Sequence, residues 1–359
     1  MIRVLYICNE DRRLGGASLS LMDMLESLSG AVRPLILLRE DGLVAEAFRA
    51  RGYACMVVPF FRGTFQAKGL VRMLRFLPHA LHRAWVQARC VRRVKRELAG
   101  QIDLVHSNSG TVDIGLRIAK ALGVRHIWHI REYLDLGLGM RPFPSMAAWK
   151  RKLQKSDAVI AITPGLAAHL GLDQARCIPD AVCPDSAPDI VPVKDPYLLF
   201  VAGSMSAAKR PQEAVDLFRA AALSEQYKLR MVGEGAAAFA APDIEALPFT
   251  DALPELYRHA SAVLICSPYE GMGRVCVEAM FYGCPVVARG SGGSADVLQG
   301  GRLGALYSSV QEGADALVRV VQDPPLAQLQ AAAEEAVRQY SRGQYGERIL
   351  ALYHEFCHA

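Results

Sequence analysis

Tyr197-Leu198-Leu199-Phe200-Val201-Ala202 runs directly into Gly203-Ser204-Met205-Ser206-Ala207-Ala208-Lys209-Arg210. Six apolar residues without polar alternation fit a parallel strand covered on both faces. Small residues make a turn, and a helical pattern follows over Pro211–Ala222. This unit of strand, turn and helix is the key to the rest of the chain. Downstream, short apolar runs recur at Leu229–Val232, Ala262–Cys266, Pro285–Ala288 and Ala305–Tyr307. Upstream, the same rhythm occupies the first half. Its strands are expected at Val4–Cys8, Pro34–Leu38, Ala54–Val58, Leu104–His106, His126–His129 and Ala158–Ala161. Helical patterns lie between them at Ala17–Leu28, Leu43–Arg51, Lys68–Leu98, Val112–Leu122 and Ala147–Lys155, the third broken at Pro78. Strands alternating with helices imply βαβ units and parallel sheets.

Pro179, Pro184, Pro188, Pro192 and Pro196 separate the two halves. Proline at that density suits neither helix nor sheet interior, so it marks a connector. The expected organisation is an α/β chain of two doubly wound, Rossmann-like domains facing across a cleft. The first spans 1–180, a Pro-rich linker 181–196, and the second 197–340. A C-terminal helix over 341–359 is expected to pack back on the first domain. Ligands of such sheets bind beyond the carboxyl ends of the strands.

Composition narrows the class. The 359 residues are 52% hydrophobic and 21% charged, ample for packed cores and unlike a disordered chain. The longest stretch free of Asp, Glu, Lys and Arg, Ala158–Leu172, is too short to span a membrane. The apolar run at the N-terminus is too short for a secretory signal. Nine cysteines without a CxxC pair argue against a disulfide framework and fit a reducing cytoplasm. Net charge is +5, unevenly placed. Residues 1–190 hold 27 Lys and Arg against 17 Asp and Glu, while 191–359 hold 14 against 19. The first half is therefore expected to meet something anionic.

The chemistry concentrates in Ser267-Pro268-Tyr269-Glu270-Gly271-Met272-Gly273-Arg274-Val275-Cys276-Val277-Glu278-Ala279-Met280. Glu270 lies on the loop past the strand Ala262–Cys266. Gly271 and Gly273 allow close backbone approach. A helix from about Met272 points unpaired N–H groups into the loop, a place that favours an anion. Glu278 lies about two turns along it. Two carboxylates thus bracket an anion-binding helix end, which suits a phosphate flanked by hydroxylated sugars. In the segment that opened the reading, Lys209 stands where a cation would clamp a diphosphate, with Arg210 beside it and Gly203 in the turn. No D-x-D triplet occurs, so a metal-bridged diphosphate is not indicated and no metal site is expected.

The segment from Glu270 to Glu278 resembles the E-x7-E motif of family 4 glycosyltransferases, retaining nucleotide-sugar enzymes of GT-B fold. The similarity continues through Gly283-Cys284-Pro285-Val286-Val287-Ala288 and Ser291-Gly292-Gly293-Ser294-Ala295-Asp296-Val297. The resemblance implies that Glu270 binds donor-sugar hydroxyls, Gly271, Met272 and Gly273 offer backbone to sugar and phosphate, and Glu278 holds the ribose. Lys209 matches the family's phosphate-binding lysine, but the paired arginine is replaced by Ser204, and Arg210 is the candidate substitute. Asp296 stands where the family has Glu and is assigned no role. Gly15 and Gly16 match the family's GG loop near donor phosphate and acceptor. His129, in Trp128-His129-Ile130-Arg131-Glu132, resembles the active-site histidine that contacts the donor sugar; an ordinary core histidine is the alternative. Arg131, Glu132 and Asn108 are candidates for the acceptor side.

Between Arg62 and Arg96 lie ten Lys or Arg and no Asp or Glu. Arg72, Arg75, Arg83 and Trp85 are expected to face an anionic membrane surface, as a basic amphipathic helix does. Plain packing on the sheet is the alternative. No nucleic-acid-reading motif accompanies the charge. The sequence therefore reads as a cytoplasmic, peripheral glycosyltransferase. It needs no cofactor. Its donor is a nucleotide sugar such as a UDP- or GDP-sugar, and its acceptor a glycan or lipid-linked glycan of bacterial polysaccharide or lipopolysaccharide assembly. A non-catalytic subunit that binds a nucleotide sugar and a sugar-nucleotide epimerase are the competing readings.

Overall fold

A computed structural model describes residues 1–8, 14–66, 76–137 and 139–357. The chain divides into two compact units, Met1–Ile178 with Tyr345–Ala359, and Pro179–Gln344.

In the first unit the order is β1 (Ile2–Ile7), α1 (Gly16–Ser27), β2 (Val32–Leu38), α2 (Leu43–Ala50), β3 (Ala54–Val57), β4 (Thr64–Gln66), α3 (Phe76–Leu98), β5 (Leu104–Ser107), α4 (Ile114–Leu122), β6 (Arg125–Ile130), β7 (Met140–Pro142), α5 (Met146–Leu153), β8 (Ala158–Ala161), α6 (Pro164–Leu170) and β9 (Arg176–Cys177). Seven strands form a parallel sheet in the order β3-β2-β1-β5-β6-β8-β9. The strand order reverses between β1 and β5. Leu5, Ile7, Val105 and Ile118 belong to the core under one face, with Cys90 and Val94 of α3 packed into it.

The second unit continues with β10 (Asp195–Ser204), α7 (Pro211–Ala220), β11 (Lys228–Glu234), β12 (Ile244–Leu247), α8 (Leu253–His259), β13 (Ala260–Ile265), α9 (Arg274–Phe281), β14 (Val286–Arg289), α10 (Gly292–Val297), β15 (Ala305–Tyr307), α11 (Val310–Gln322) and α12 (Leu326–Tyr340). Its parallel sheet runs β12-β11-β10-β13-β14-β15, reversing between β10 and β13. The apolar run that opens the reading is β10, and Leu198, Phe200 and Ala202 are buried against Leu217 and Phe218 of α7 and Leu317 of α11. On the other side, α12 packs on α9.

The third helical pattern is described from Phe76 as α3, which runs through Pro78 to Leu98 without a break, and residues 68–75 lie outside the described residues. Ser341, extended and bridged to Cys183, separates α12 from a C-terminal helix, α13 (Arg342–Cys357). From Tyr345 onward this helix belongs to the first unit. Three short strands, β4, β7 and β9, carry too few residues to show in the apolar pattern, and β12 has Glu245 interrupting its apolar run. No disulfide forms among the described residues.

Candidate active site

In a doubly wound sheet the two loops that leave the reversal point diverge and open a crevice beyond the strand ends. In the second unit those loops follow β10 and β13, and they carry Lys209 and Glu270. The Lys209 ammonium donates to Glu270 Oε1, closing an ion pair across the reversal. Burial alone would raise the Glu270 carboxyl, but the Lys209 charge and hydrogen bonds from Lys209 and Ser267 hold it below its usual value. Glu270 is thus an ionised carboxylate in a largely buried setting. The two residues assigned to sugar and phosphate from sequence are direct partners.

The Glu270 loop is braced from β14. Ser291 Oγ donates to the Pro268 carbonyl at 2.6 Å, and the Gly293 amide to the Glu270 carbonyl at 2.8 Å. A Cβ on Gly293 would lie 2.6 Å from Met272 Cα, and one on Gly292 would lie 2.9 Å from the Pro268 carbonyl oxygen. Gly292 and Gly293 are therefore glycines because two backbones touch there. Gly273 caps α9 at φ 87°. With no acidic residue in its first turn, α9 leaves its positive end uncompensated by its own side chains. Met272 is buried, and Arg274 turns away, its Nη1 donating to the Ala181 carbonyl at 3.0 Å.

Glu278 lies in the middle of α9, and Tyr257 of α8 donates its hydroxyl to Glu278 Oε2 at 2.9 Å. The Tyr257 and Tyr282 rings stack, 6.1 Å apart and 7° from parallel. Beside them opens a cavity of about 270 Å³ lined by Cys183, Phe249, Leu253, Tyr257, Glu278 and Tyr282. Tyr257 and Phe249 escape the sequence reading. A tyrosine in a short helix and a phenylalanine in a loop carry no signal until the fold sets them beside Glu278.

Gly203 is exposed, and a Cβ there would meet nothing within 4 Å. Arg210 adopts φ 50°, a left-handed conformation that disfavours a side chain. Its guanidinium donates to Glu213 at 3.0 Å, and Glu213 also accepts from Arg289 at 2.9 Å and from Tyr307 at 2.8 Å. In this state, then, Arg210 is committed to Glu213, away from the Lys209 pair.

In the first unit Gly15 and Gly16 begin α1, directly after the β1 loop at that sheet's reversal point. Gly16 is exposed, and a Cβ there would meet nothing within 4 Å. The three candidates for the acceptor side lie among internal hydrogen bonds. Asn108 is fully buried and Arg131 nearly so. Arg131 Nη1 donates to the Asn108 carbonyl and side-chain oxygens at 2.8 and 2.7 Å, and Asn108 Nδ2 donates to the Ala17 carbonyl at 2.9 Å. Glu132 accepts from Ser109 Oγ at 2.6 Å and the Gly110 amide at 3.0 Å. Burial raises the Glu132 carboxyl despite these bonds. Asn108, Arg131 and Glu132 are thus internal braces of the loop after β5. His129 lies inside the first unit. It is the fifth residue of β6, fully buried, and burial with the nearby Arg131 charge keeps its imidazole neutral.

The basic segment divides likewise. Arg72 and Arg75 lie outside the described residues. Arg83 does not face outward: it is buried, bonds the Arg62 carbonyl, lies 3.8 Å from Asp113 and covers the Phe143 ring at 4.9 Å. Trp85 is 51% exposed and Leu81 66%, with Arg89 stacked over Trp85 at 4.7 Å. Among the described residues no helix is long and apolar enough to cross a membrane, and no cluster of three His, Cys, Asp or Glu is placed to hold a metal.

Fold and site define a class, and comparison with known proteins agrees. A model of glycosyl transferases group 1 matches residues 195–323, and one of a glycosyl transferase 4-like domain matches residues 15–179. The chain belongs to the GT-B glycosyltransferase superfamily. Among solved structures it is similar to HepE of Anabaena in complex with UDP-glucose, at 17% identity over 99% of this chain and 100% of that one, TM-score 0.76. It is similar to a TarM variant of S. aureus in complex with fondaparinux, alpha-GlcNAc-glycerol and UDP, at 13% identity over 98% and 100%, TM-score 0.75. It is also similar to the lipopolysaccharide outer core galactosyltransferase WaaB in its apo form, at 15% identity over 99% of this chain and 100% of that one, TM-score 0.70. No curated protein sequence matches it.

Proposed function

We propose that this glycosyltransferase moves a sugar from a nucleoside diphosphate to an acceptor hydroxyl with retention of configuration. The observation that carries the reading is the Lys209–Glu270 pair at the reversal point of the second sheet. A donor entering there meets an ionised carboxylate for its sugar hydroxyls and a cation for its phosphates. The head of α9 adds partial positive charge, and Glu278 with its neighbouring cavity receives the nucleoside. As the sugar leaves, charge grows on the diphosphate, and Lys209 stabilises it without a resident metal. The exposed Gly16, with open space where a Cβ would stand, supports close approach of a ligand to the head of α1. With Glu270 tied to Lys209, the attacking hydroxyl passes its proton to the leaving phosphate on the same face, and the protein supplies position and electrostatics. One of the similar structures holds UDP-glucose and another UDP, so a UDP-sugar is the first donor to test. WaaB supports a lipopolysaccharide-type acceptor, and exposed Trp85 and Leu81 beside the cations of α3 support docking on anionic lipid at the inner face of the membrane.

The test is transfer followed by mass spectrometry across UDP- and GDP-sugars, with the product anomer read by NMR and chelator added in parallel. The expected result is chelator-insensitive transfer with a retained anomer. Donor binding without turnover would establish the non-catalytic reading, and conversion of the donor without acceptor would establish an epimerase.

A further inference from the structure

Glu270 and Glu278 are held in opposite ways. Glu270 is paired with a cation, Lys209. Glu278 is held by a neutral group: Tyr257 of α8 donates its hydroxyl to Glu278 Oε2 at 2.9 Å. Burial first, then the Glu278 charge and this bond, push the Tyr257 phenol well above its ordinary range, so it keeps its proton and stays a donor. A phenol orients a carboxylate without neutralising it. Among the described residues no other donor reaches the Glu278 side chain, and the Tyr257 hydroxyl makes no other bond. Glu278 is half-buried and lines the cavity of about 270 Å³ with Phe249, Leu253 and Cys183. Oε1 is therefore the oxygen left for a ligand, and a carboxylate oxygen accepts strongly from hydroxyls.

The frame around Tyr257 is tightly packed. Tyr257 is 1% exposed and is the one buried residue of α8. Its ring stacks on Tyr282, and Phe281 meets Tyr282 edge-on at 4.9 Å. The helix is pinned in turn, because Tyr197 donates to the Leu256 carbonyl at 2.8 Å and Lys194 to the Arg258 carbonyl at 2.7 Å. The last torsion of a glutamate is broad and close to two-fold, so packing alone does not choose the plane of its carboxylate. A bond from a fixed phenol does choose it. Glu278 is thereby ordered before a ligand arrives, which removes that cost from binding.

We propose that Tyr257 is a positioning residue: it holds Glu278 by Oε2 so that Oε1 accepts from the ribose hydroxyls of a nucleoside diphosphate, and the site thereby prefers a ribonucleotide to its 2′-deoxy counterpart. The inference rests on the proposed transfer reaction, in which this cavity receives the nucleoside. An oxygen with two lone pairs has room for both hydroxyls of a ribose. Deoxyribose offers only one. Donors of the thymidine diphosphate class, which carry deoxyribose, are thus poor ligands, while UDP- and GDP-sugars keep both contacts.

Calorimetric titration of the full chain with UDP, GDP and their 2′-deoxy analogues tests this without knowledge of the sugar or the acceptor. The ribonucleotide that binds more tightly should exceed its own 2′-deoxy form by about 10- to 100-fold, the weight of a hydrogen bond to a charged group. Tyr257→Phe keeps the ring and its stack and loses only the donor. It should bind that ribonucleotide about 5- to 10-fold more weakly and bring the preference over the deoxy form down to about 3-fold. A purely structural role would weaken both nucleotides alike, so an unchanged ratio in Tyr257→Phe overturns the positioning role. Glu278→Ala should abolish the preference, and a preference that survives it overturns the assignment of the ribose to Glu278. Equal binding of the two forms by the wild type overturns the inference and leaves the transfer reading standing, and it needs no variant to fold. A wild type that binds none of the four nucleotides overturns both.

Discussion

At the scale of single residues, the site depends on one carboxylate kept ionised where burial opposes it. Glu270 owes its charge to Lys209 and Ser267. Lys209→Ala removes the cation that faces the leaving phosphate and should lower kcat by about 100-fold, read in a sugar-transfer assay. The same pair has a signature in stability. A carboxyl held below its ordinary value of 4.5 stabilises the fold above that pH and loses the contribution as pH falls through the native value. Urea midpoints of the wild type should therefore drop on acidification below about pH 4.5, and Lys209→Ala should lose most of that segment of the drop. Equal acid sensitivity in both proteins would remove the pair from the account.

At the scale of elements, two glycine pairs that look alike in sequence do different work. Gly292 and Gly293 let the β14 loop touch the Glu270 loop, whereas Gly16 has open space in front of it. Gly293→Ala should displace the Glu270 loop, costing about 1–3 kcal/mol of stability and most of the activity. Gly16→Ala, at the head of α1 with a helical backbone, should leave the melting temperature unchanged or raise it, since it only reduces the freedom of the unfolded chain. Its transfer activity should nonetheless fall, because the methyl enters space assigned to substrate. Calorimetry and donor kinetics on the two variants separate these effects.

At the scale of the whole molecule, the excess of positive charge in the first half is partly internal. Arg83 is spent on Arg62, Asp113 and Phe143, while Trp85 and Arg89 remain at the surface. Flotation with anionic vesicles at low salt should therefore depend on Trp85 and not on Arg83. Trp85→Ala should lose most of the bound fraction with an unchanged melting temperature. Arg83→Ala should float normally but lose about 1–3 kcal/mol of stability, the cost of stripping a partly buried hydrogen-bonded cation. Protein that stays in the soluble fraction in all cases refutes lipid docking.

The amino-acid pattern by itself determined the two parallel sheets, because long apolar runs such as Tyr197–Ala202 have no other stable use. It also placed Glu270, Glu278 and Lys209 on the loops and helix where the structure has them, since strand-loop-helix spacing is local. Only the tertiary structure decided which polar residues are available to a ligand. Asn108, Arg131, Glu132 and Arg83 look like surface chemistry in sequence, yet each spends its hydrogen bonds on partners distant in the chain. Tyr257 and Tyr353 show no pattern at all until folding brings them to Glu278 and His106. The reason is physical: periodicity records which face of an element is apolar, whereas the fate of a polar group depends on partners tens to hundreds of residues away, which no local pattern records.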